Sequence, residues 1–170
     1  MFKRAILFIV IVFGGAFIVA FAAHSATHDV VEARGYAPGT IVVKTSERRL
    51  YFVMENGRAL SFPVGVGKNG QAWIGTATIE RKYVKPAWSP PDDIKREHPN
   101  MPDVIAGGAT NNPMGEAALT MRGGEYAIHG TNEPRSIGHF VSHGCIRMFN
   151  RDIRTLYGLV EVGTPVIVER

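Results

Sequence analysis

The chain has 170 residues, 45% hydrophobic and 20% charged, a composition that excludes a disordered or fibrous protein and favours a single domain. Its formal net charge is only +4, and no basic run lies beside aromatic residues in the part expected to fold, which argues against nucleic acid as a partner. The single cysteine, Cys145, excludes an internal disulfide framework and any zinc site built from several cysteines.

The N-terminus has the pattern of an export signal. Lys3 and Arg4 precede an uncharged apolar run over residues 5–23. This run is longer than the apolar part of most cleaved signals and approaches the length of a membrane-spanning helix. We therefore interpret residues 1–26 as a signal peptide or an N-terminal membrane anchor, with membrane contact through residues 5–23 only if the segment is retained. Because the basic residues stay on the cytoplasmic side, both interpretations predict export of the rest to the periplasm or cell envelope.

Strands dominate the chain after a predicted linker at residues 27–37. Asn56 and Gly57 provide the pair of residues that a tight hairpin turn requires. The glycine-rich residues 65–70 superficially resemble a phosphate-binding loop, but they open no predicted helix and therefore predict no nucleotide site. The β-branched or alternating runs that predict strands here are residues 40–45, 50–54, 59–66 and 76–84.

A long connection follows at residues 85–115, rich in Pro, Asn and Gly, in which only residues 92–98 have the pattern of a short helix. Such a connection is typical of a functional lid or binding loop. Beyond it, the patterns predict strands at 117–122, 125–129 and 165–169, and a short helix from Asn150, as its cap, to Leu156. The sum is a mainly β single domain with two or three short helices and a long loop lid.

Cys145 lies in the polar, glycine-containing residues 142–147, a context that favours a reactive thiol. A buried inert thiol and an intermolecular disulfide are the alternatives. A thiol nucleophile needs a base, and His129 and His143 are the candidates. His129 ends a predicted strand, an exposed position from which an imidazole can point into a site. His143 is too close along the chain to face Cys145 easily in an extended segment, but a tight turn would change that, so spacing alone does not decide between the two.

Metal binding is the competing interpretation of the same residues. His139, His143 and Cys145 have a spacing that zinc could use on a helix. Gly138 and Gly144 argue against a helix there. The sequence therefore predicts no metal site and no cofactor.

Three ordered motifs, His129-Gly-Thr-Asn132, Ser136-Ile-Gly138 and Ser142-His-Gly-Cys-Ile-Arg147, resemble the signature of the L,D-transpeptidases with a YkuD-type catalytic domain, which remodel bacterial peptidoglycan. The accessory segments of that family resemble residues 86–91, 112–115 and 163–166. The resemblance covers about residues 38–170. It implies one YkuD-like catalytic domain of the β-sandwich or barrel type.

The resemblance implies that Cys145 is the nucleophile and that His129 is the general base and acid. It also implies that the backbone carbonyl of Gly130 orients the imidazole, and that the backbone N–H groups of Gly144 and Cys145 stabilise an oxyanion. Glycine at position 144 suits this role because it tolerates a positive φ.

Substrate contacts are expected from Ser142, His143, Arg147 and, on the lid, Trp88. Two interpretations of Arg147 stay open: bidentate binding of a substrate carboxylate, and a structural ion pair. For Trp88, a role in limiting water and guiding the acceptor competes with ordinary packing.

The implied reaction is acyl transfer from a tetrapeptide stem of peptidoglycan through a thioester, with release of D-alanine and without ATP or metal. The acceptor is an amine, from a neighbouring stem or from a protein lysine. Water as acceptor would instead make the protein a cell-wall carboxypeptidase or cysteine peptidase. A non-catalytic wall-binding protein is the alternative of another class. The resemblance further implies inhibition by carbapenems.

Overall fold

The computed structural model describes residues 28–123 and 126–170. The predicted export segment, residues 1–26, lies outside the described residues. Within the described part of the chain, no helix has both the length and the apolar character needed to span a membrane.

The described residues form ten strands, two α-helices and two short 3₁₀ turns. The 3₁₀ turns are Glu55–Gly57 and Pro134–Ser136, and the helices are α1 (Asp92–Glu97) and α2 (Asn150–Leu159). The strands are β1 (Asp29–Glu32), β2 (Ile41–Lys44), β3 (Arg49–Val53), β4 (Arg58–Gly67), β5 (Gly75–Val84), β6 (Ala117–Met121), β7 (Ala127–His129), β8 (Phe140–Ser142), β9 (Ile146–Met148) and β10 (Pro165–Glu169).

The sheet closes on itself. Its strands follow the order β1-β4-β3-β2-β10-β5-β6-β7-β9, and a further pairing of β4 with β9 joins the two sides. The ten residues of β4 make this possible, because Ala59 to Pro63 pair with β3 while Val64 and Gly65 pair with β9. The predicted mainly β fold of the barrel or sandwich type, with few short helices, is confirmed.

Alternation along the strands fills the interior with branched apolar side chains. Ile41 and Val43 on β2 lie beside Val166 and Val168 on the parallel strand β10, and all four are buried. The amphipathic helix α2 covers one side through Ile153 and Leu156, which are fully buried. The helix contacts β6 and β7, so it supports the strand that ends at His129.

Three local predictions differ from the structure. Residues 29–32 lie inside the predicted linker but form β1, which pairs with residues 58–61 of β4. Asn150 does not cap α2: Phe149 precedes the helix, and the Asn150 side chain bonds to other parts of the backbone. Residues 140–142 and 146–148 form two unpredicted strands, β8 and β9, and both pair non-locally with β4. The positive φ angles predicted for Asn56 and Gly57 are present, at 68° and 66°.

Candidate active site

Parallel pairing of β7 with β9 brings the motif residues together. Ile128 pairs with Ile146 and His129 with Arg147. Both isoleucines are buried in the core. Because successive strand residues point to opposite faces, His129 and Arg147 lie on the other face of the sheet. Cys145 immediately precedes β9, and its thiol lies near the backbone of Ala127 and near Arg147.

His129 is buried, with 4% of its surface exposed, and its Nδ1 lies 2.6 Å from the carbonyl oxygen of Gly130. A carbonyl oxygen only accepts hydrogen bonds, so we assign the proton of the neutral imidazole to Nδ1 and take Nε2 as the basic site; the backbone of Pro113, which has no N–H, is a second acceptor near the ring. This is the contact that the family resemblance implies for Gly130.

Burial, as the largest cause, and the nearby Arg147 guanidinium lower the pKa of His129 to about 4. Hydrogen bonding to the backbone of Gly130 and of Pro113 acts in the opposite direction and is the weaker influence. At neutral pH the imidazole is therefore uncharged and able to accept a proton.

Cys145 is partly buried and unpaired. Burial raises the pKa of its thiol, while hydrogen bonding to the backbone of Ala127 and the charge of Arg147 lower it. Both shifts favour an uncharged thiol and an uncharged imidazole over a thiolate–imidazolium pair. Proton transfer to His129 must then accompany the attack of the sulfur on a substrate.

This protonation state predicts how Cys145 reacts without substrate. We expect alkylation of the full chain by iodoacetamide to be slow at pH 7 and to keep rising with pH, because only the thiolate reacts and burial raises the thiol pKa. Mass spectrometry of the alkylated protein over about pH 5 to 10 measures this, since ordinary thiols titrate near pH 8.5. A rate plateau beginning below about pH 6 would instead indicate a preformed ion pair.

The turn before β9 is held by Ser142. Its hydroxyl donates a hydrogen bond to the Cys145 carbonyl at 2.6 Å and accepts one from the Gly144 N–H at 3.2 Å. Ser142 is only 3% exposed. We expected Ser142 to contact substrate, but its hydroxyl lies inside the turn, so its contribution is to shape the backbone around Cys145.

Gly144 occupies a position that only glycine suits. Its φ is +124°, and a Cβ there would lie 2.2 Å from Cε1 of Tyr126. The Tyr126 ring in turn stacks on Trp73, with ring centroids 5.6 Å apart and planes 9° from parallel. The aromatic pair therefore packs directly against the backbone whose N–H groups are expected to bind an oxyanion. The Gly144 N–H already donates to the Ser142 hydroxyl. To stabilise an oxyanion, it would have to bond to both oxygens or exchange the hydroxyl for the oxyanion.

A groove of about 260 Å³ lies between the lid, residues 85–115, and the turn that carries Cys145. Its lining includes Trp88 from the lid, and His143 and Arg147 from the motif. The N–H and C=O groups of Trp88 pair with those of Ile105 at 2.9 and 2.8 Å, so the lid has an internal bridge. Three of the four predicted substrate-contacting residues thus border one groove.

Asn112, which sequence reasoning did not single out, organises the lid. Its side chain is 1% exposed and donates to the carbonyls of Pro86 and Ala106, each at 2.9 Å. Its Oδ1 accepts from the Met114 N–H at 2.9 Å. The only signal in the sequence was its place in the accessory motif of residues 112–115.

Two carboxylates lie close to Arg147 and His143 of the groove. Glu133 Oε2 lies 3.3 Å from Arg147 Nη1, and Glu97 Oε1, on α1, lies 3.8 Å from His143 Nε2. Arg147 is thus in an ion pair, the structural interpretation, yet it borders the groove. Because Glu133 is largely exposed, a substrate carboxylate entering the groove could displace it, which keeps both roles of Arg147 open.

The alternative zinc site is not formed. Across residues 28–123 and 126–170, no three His, Cys, Asp or Glu side chains are grouped closely enough to hold a metal ion. His139, His143 and Cys145 therefore do not make up a metal centre.

Comparisons with known proteins agree with this geometry. The family model of the YkuD L,D-transpeptidase catalytic domain matches residues 38–168. The probable L,D-transpeptidase ErfK/SrfK of Escherichia coli (strain K12) is 40% identical over 135 residues, which make up 74% of this chain and 42% of that protein. This chain therefore spans less than half the length of that relative.

Solved structures share the fold. An L,D-transpeptidase from Mycobacterium smegmatis matches with a TM-score of 0.61 at 21% identity, covering 77% of this chain and 58% of that one. An L,D-transpeptidase in complex with imipenem matches with a TM-score of 0.57 at 21% identity, covering 76% and 58%. By the match of the family model over most of its length, this chain is a member of the L,D-transpeptidase family with a YkuD-type catalytic domain.

Proposed function

We propose that this protein is a peptidoglycan L,D-transpeptidase that uses Cys145 to transfer an acyl group from a tetrapeptide stem to an acceptor amine. One observation carries the proposal: the pairing of β7 with β9 places the neutral His129 imidazole beside Arg147, two residues after Cys145, and Arg147 borders a groove that lid residues also line. The family to which the chain belongs supports it.

The first half of the reaction forms a thioester. Cys145 Sγ attacks the carbonyl carbon at the L-configured centre of the diamino acid in the stem, and the thiol proton passes to Nε2 of His129. The oxyanion that forms is stabilised by the backbone N–H groups of Gly144 and Cys145. When the tetrahedral intermediate collapses, the C–N bond to the terminal D-alanine breaks, and His129 returns its proton to the leaving amine.

The second half resolves the thioester. The acceptor amine attacks the thioester carbonyl, and His129 takes the proton from the amine. The C–S bond then breaks, and His129 passes that proton to the departing sulfur, which restores the Cys145 thiol and the neutral imidazole. A neighbouring stem as acceptor gives a cross-link, and a protein lysine gives an attached protein. Water as acceptor gives hydrolysis, which is the carboxypeptidase alternative. We expect the lid, whose Trp88 borders the groove, to limit water and so favour an amine as acceptor.

We place this activity in the periplasm or cell envelope, because residues 1–26 have the pattern of an export signal and peptidoglycan lies outside the inner membrane. We also expect carbapenems to acylate Cys145. A structurally similar L,D-transpeptidase was solved in complex with imipenem, which supports this expectation.

Intact-mass spectrometry of the full chain with a tetrapeptide stem, with and without an added stem amine, tests the proposal. We expect a transient acyl adduct, release of D-alanine and an amine-dependent cross-linked product, all of them missing from Cys145→Ala. D-alanine release that yields only the shortened stem, even with amine present, would support the carboxypeptidase. Folded protein with an alkylatable thiol, but with neither adduct nor D-alanine release, would contradict both.

A further inference from the structure

The peptide group between Gly130 and Thr131 connects the imidazole to a second side chain. Its carbonyl oxygen, on Gly130, accepts from His129 Nδ1 at 2.6 Å, and its N–H, on Thr131, donates to Asn150 Oδ1 at 3.1 Å. In a planar trans peptide the C=O and N–H groups point in opposite directions. Fixing the direction of the N–H therefore also fixes the direction of the carbonyl that orients His129.

The amide of Asn150 is itself held in one orientation. Besides the bond from Thr131 N–H, Oδ1 accepts from the Glu116 N–H at 3.2 Å, and Nδ2 donates to the Thr131 carbonyl at 3.1 Å. Two accepted bonds satisfy an amide oxygen. Asn150 is also the first residue of α2, whose buried side chains fix that helix against the sheet.

Two glycines make room for this amide. A Cβ on Gly115 would lie 2.2 Å from Asn150 Oδ1, and a Cβ on Gly130 would lie 2.3 Å from the same atom. Gly115 also has a φ of +63°, in the left-handed region. The backbone on both sides of the amide thus approaches it more closely than any other residue type would allow.

We propose that Asn150 is a positioning residue for acyl transfer, acting through the Gly130–Thr131 peptide to hold the His129 imidazole in its Nδ1–H form with Nε2 directed at the reacting atoms. The inference rests on the proposed function and adds a residue to it. The bond to the Thr131 N–H also polarises the Gly130 carbonyl, which strengthens its hydrogen bond with Nδ1. Asn150 touches neither Cys145 nor the groove, so its effect falls on the chemical step.

Kinetics of three variants of the full chain test the inference. We expect Asn150→Ala to lower kcat for D-alanine release about 10- to 100-fold with KM changed less than about threefold, since misplacing a catalytic group affects chemistry more than binding. Asn150→Asp keeps an acceptor for the Thr131 and Glu116 N–H groups and should recover most of that loss. Asn69→Ala, the same substitution at an exposed turn residue, should leave kcat unchanged.

Nitrogen-15 chemical shifts of the His129 ring give a readout that does not need turnover. We expect the Nδ1–H tautomer alone in the wild type and in Asn150→Asp, and a mixture of tautomers in Asn150→Ala. The inference would be overturned if folded Asn150→Ala had the kinetics of the wild type and kept His129 in the Nδ1–H tautomer alone. Equal loss of kcat in both Asn150 variants would also overturn it. If the wild type itself releases no D-alanine, the proposed function fails, and the tautomers alone decide the role of Asn150.

Discussion

Replacing His129 by glutamine is expected to slow acylation of Cys145 by about 10²- to 10⁴-fold, the usual contribution of a general base. Glutamine keeps an N–H that can reach the Gly130 carbonyl but has no site that accepts a proton from the thiol. Because burial raises the pKa of the Cys145 thiol, we expect the reaction to need a base that takes the thiol proton. Single-turnover release of D-alanine, measured at saturating stem peptide, gives the rate of this step.

The same substitution is expected to change how stability depends on pH. The pKa of His129 is about 4 in the folded protein against 6.5 for an exposed histidine, so the unfolded chain binds the extra proton first. Neutral His129 makes its full contribution to the free energy of unfolding above about pH 6.5, and this contribution is lost as the pH falls towards 4. At about 1.4 kcal/mol for each unit of pKa difference, the loss is about 3 kcal/mol. Urea unfolding at several pH values should show that the free energy of unfolding falls less on acidification in His129→Gln than in the wild type.

His143→Gln is the matched control for both measurements. His143 borders the groove and is partly exposed, so its substitution should change acylation less than about tenfold and leave the acid dependence of unfolding as in the wild type. An acylation rate in His129→Gln within tenfold of the wild type would show that another group takes the thiol proton.

Strand positions were predictable where local pattern and tertiary environment agree. The β-branched runs at residues 40–45 and 165–169 became β2 and β10, which pair in the core. The strand at residues 29–32 was missed because its side chains are mostly exposed and only its pairing with β4 makes it a strand. Local sequence does not encode such a partner, which lies about 30 residues away.

Residue types were enough to predict the chemistry of the site, but they could not predict its geometry. Spacing along the chain could not decide between His129 and His143 as the base, since the choice depends on the parallel pairing of β7 with β9. Asn150 shows a different limit. An asparagine at the start of a helix is the ordinary signal of a cap, yet here the amide satisfies the backbone of Thr131 and Glu116 instead. A local preference was outweighed by a tertiary contact.

The expected effect of Gly144→Ala is loss of acyl transfer together with loss of stability. The φ of +124° is costly for alanine, and the new Cβ would meet the Tyr126 ring at 2.2 Å. The ring is also held by stacking on Trp73, which limits how far it can move. We expect destabilisation of about 2–4 kcal/mol and at least a 100-fold lower rate of acylation, since losing one oxyanion donor alone costs about 10²- to 10³-fold. Urea unfolding and single-turnover D-alanine release measure the two effects.

Two further variants separate the clash with the Tyr126 ring from the strain of the backbone angle at Gly144. Gly158→Ala, in α2, places a methyl group where no atom lies within 4 Å, so it should be neutral or slightly stabilising. Tyr126→Ala combined with Gly144→Ala removes the clash but keeps the strained φ, so the pair should recover part of the stability and little of the rate. Full recovery of the rate would mean that the ring, and not the backbone angle, decides where the N–H groups point. No recovery of stability would mean that backbone strain alone excludes alanine from this turn.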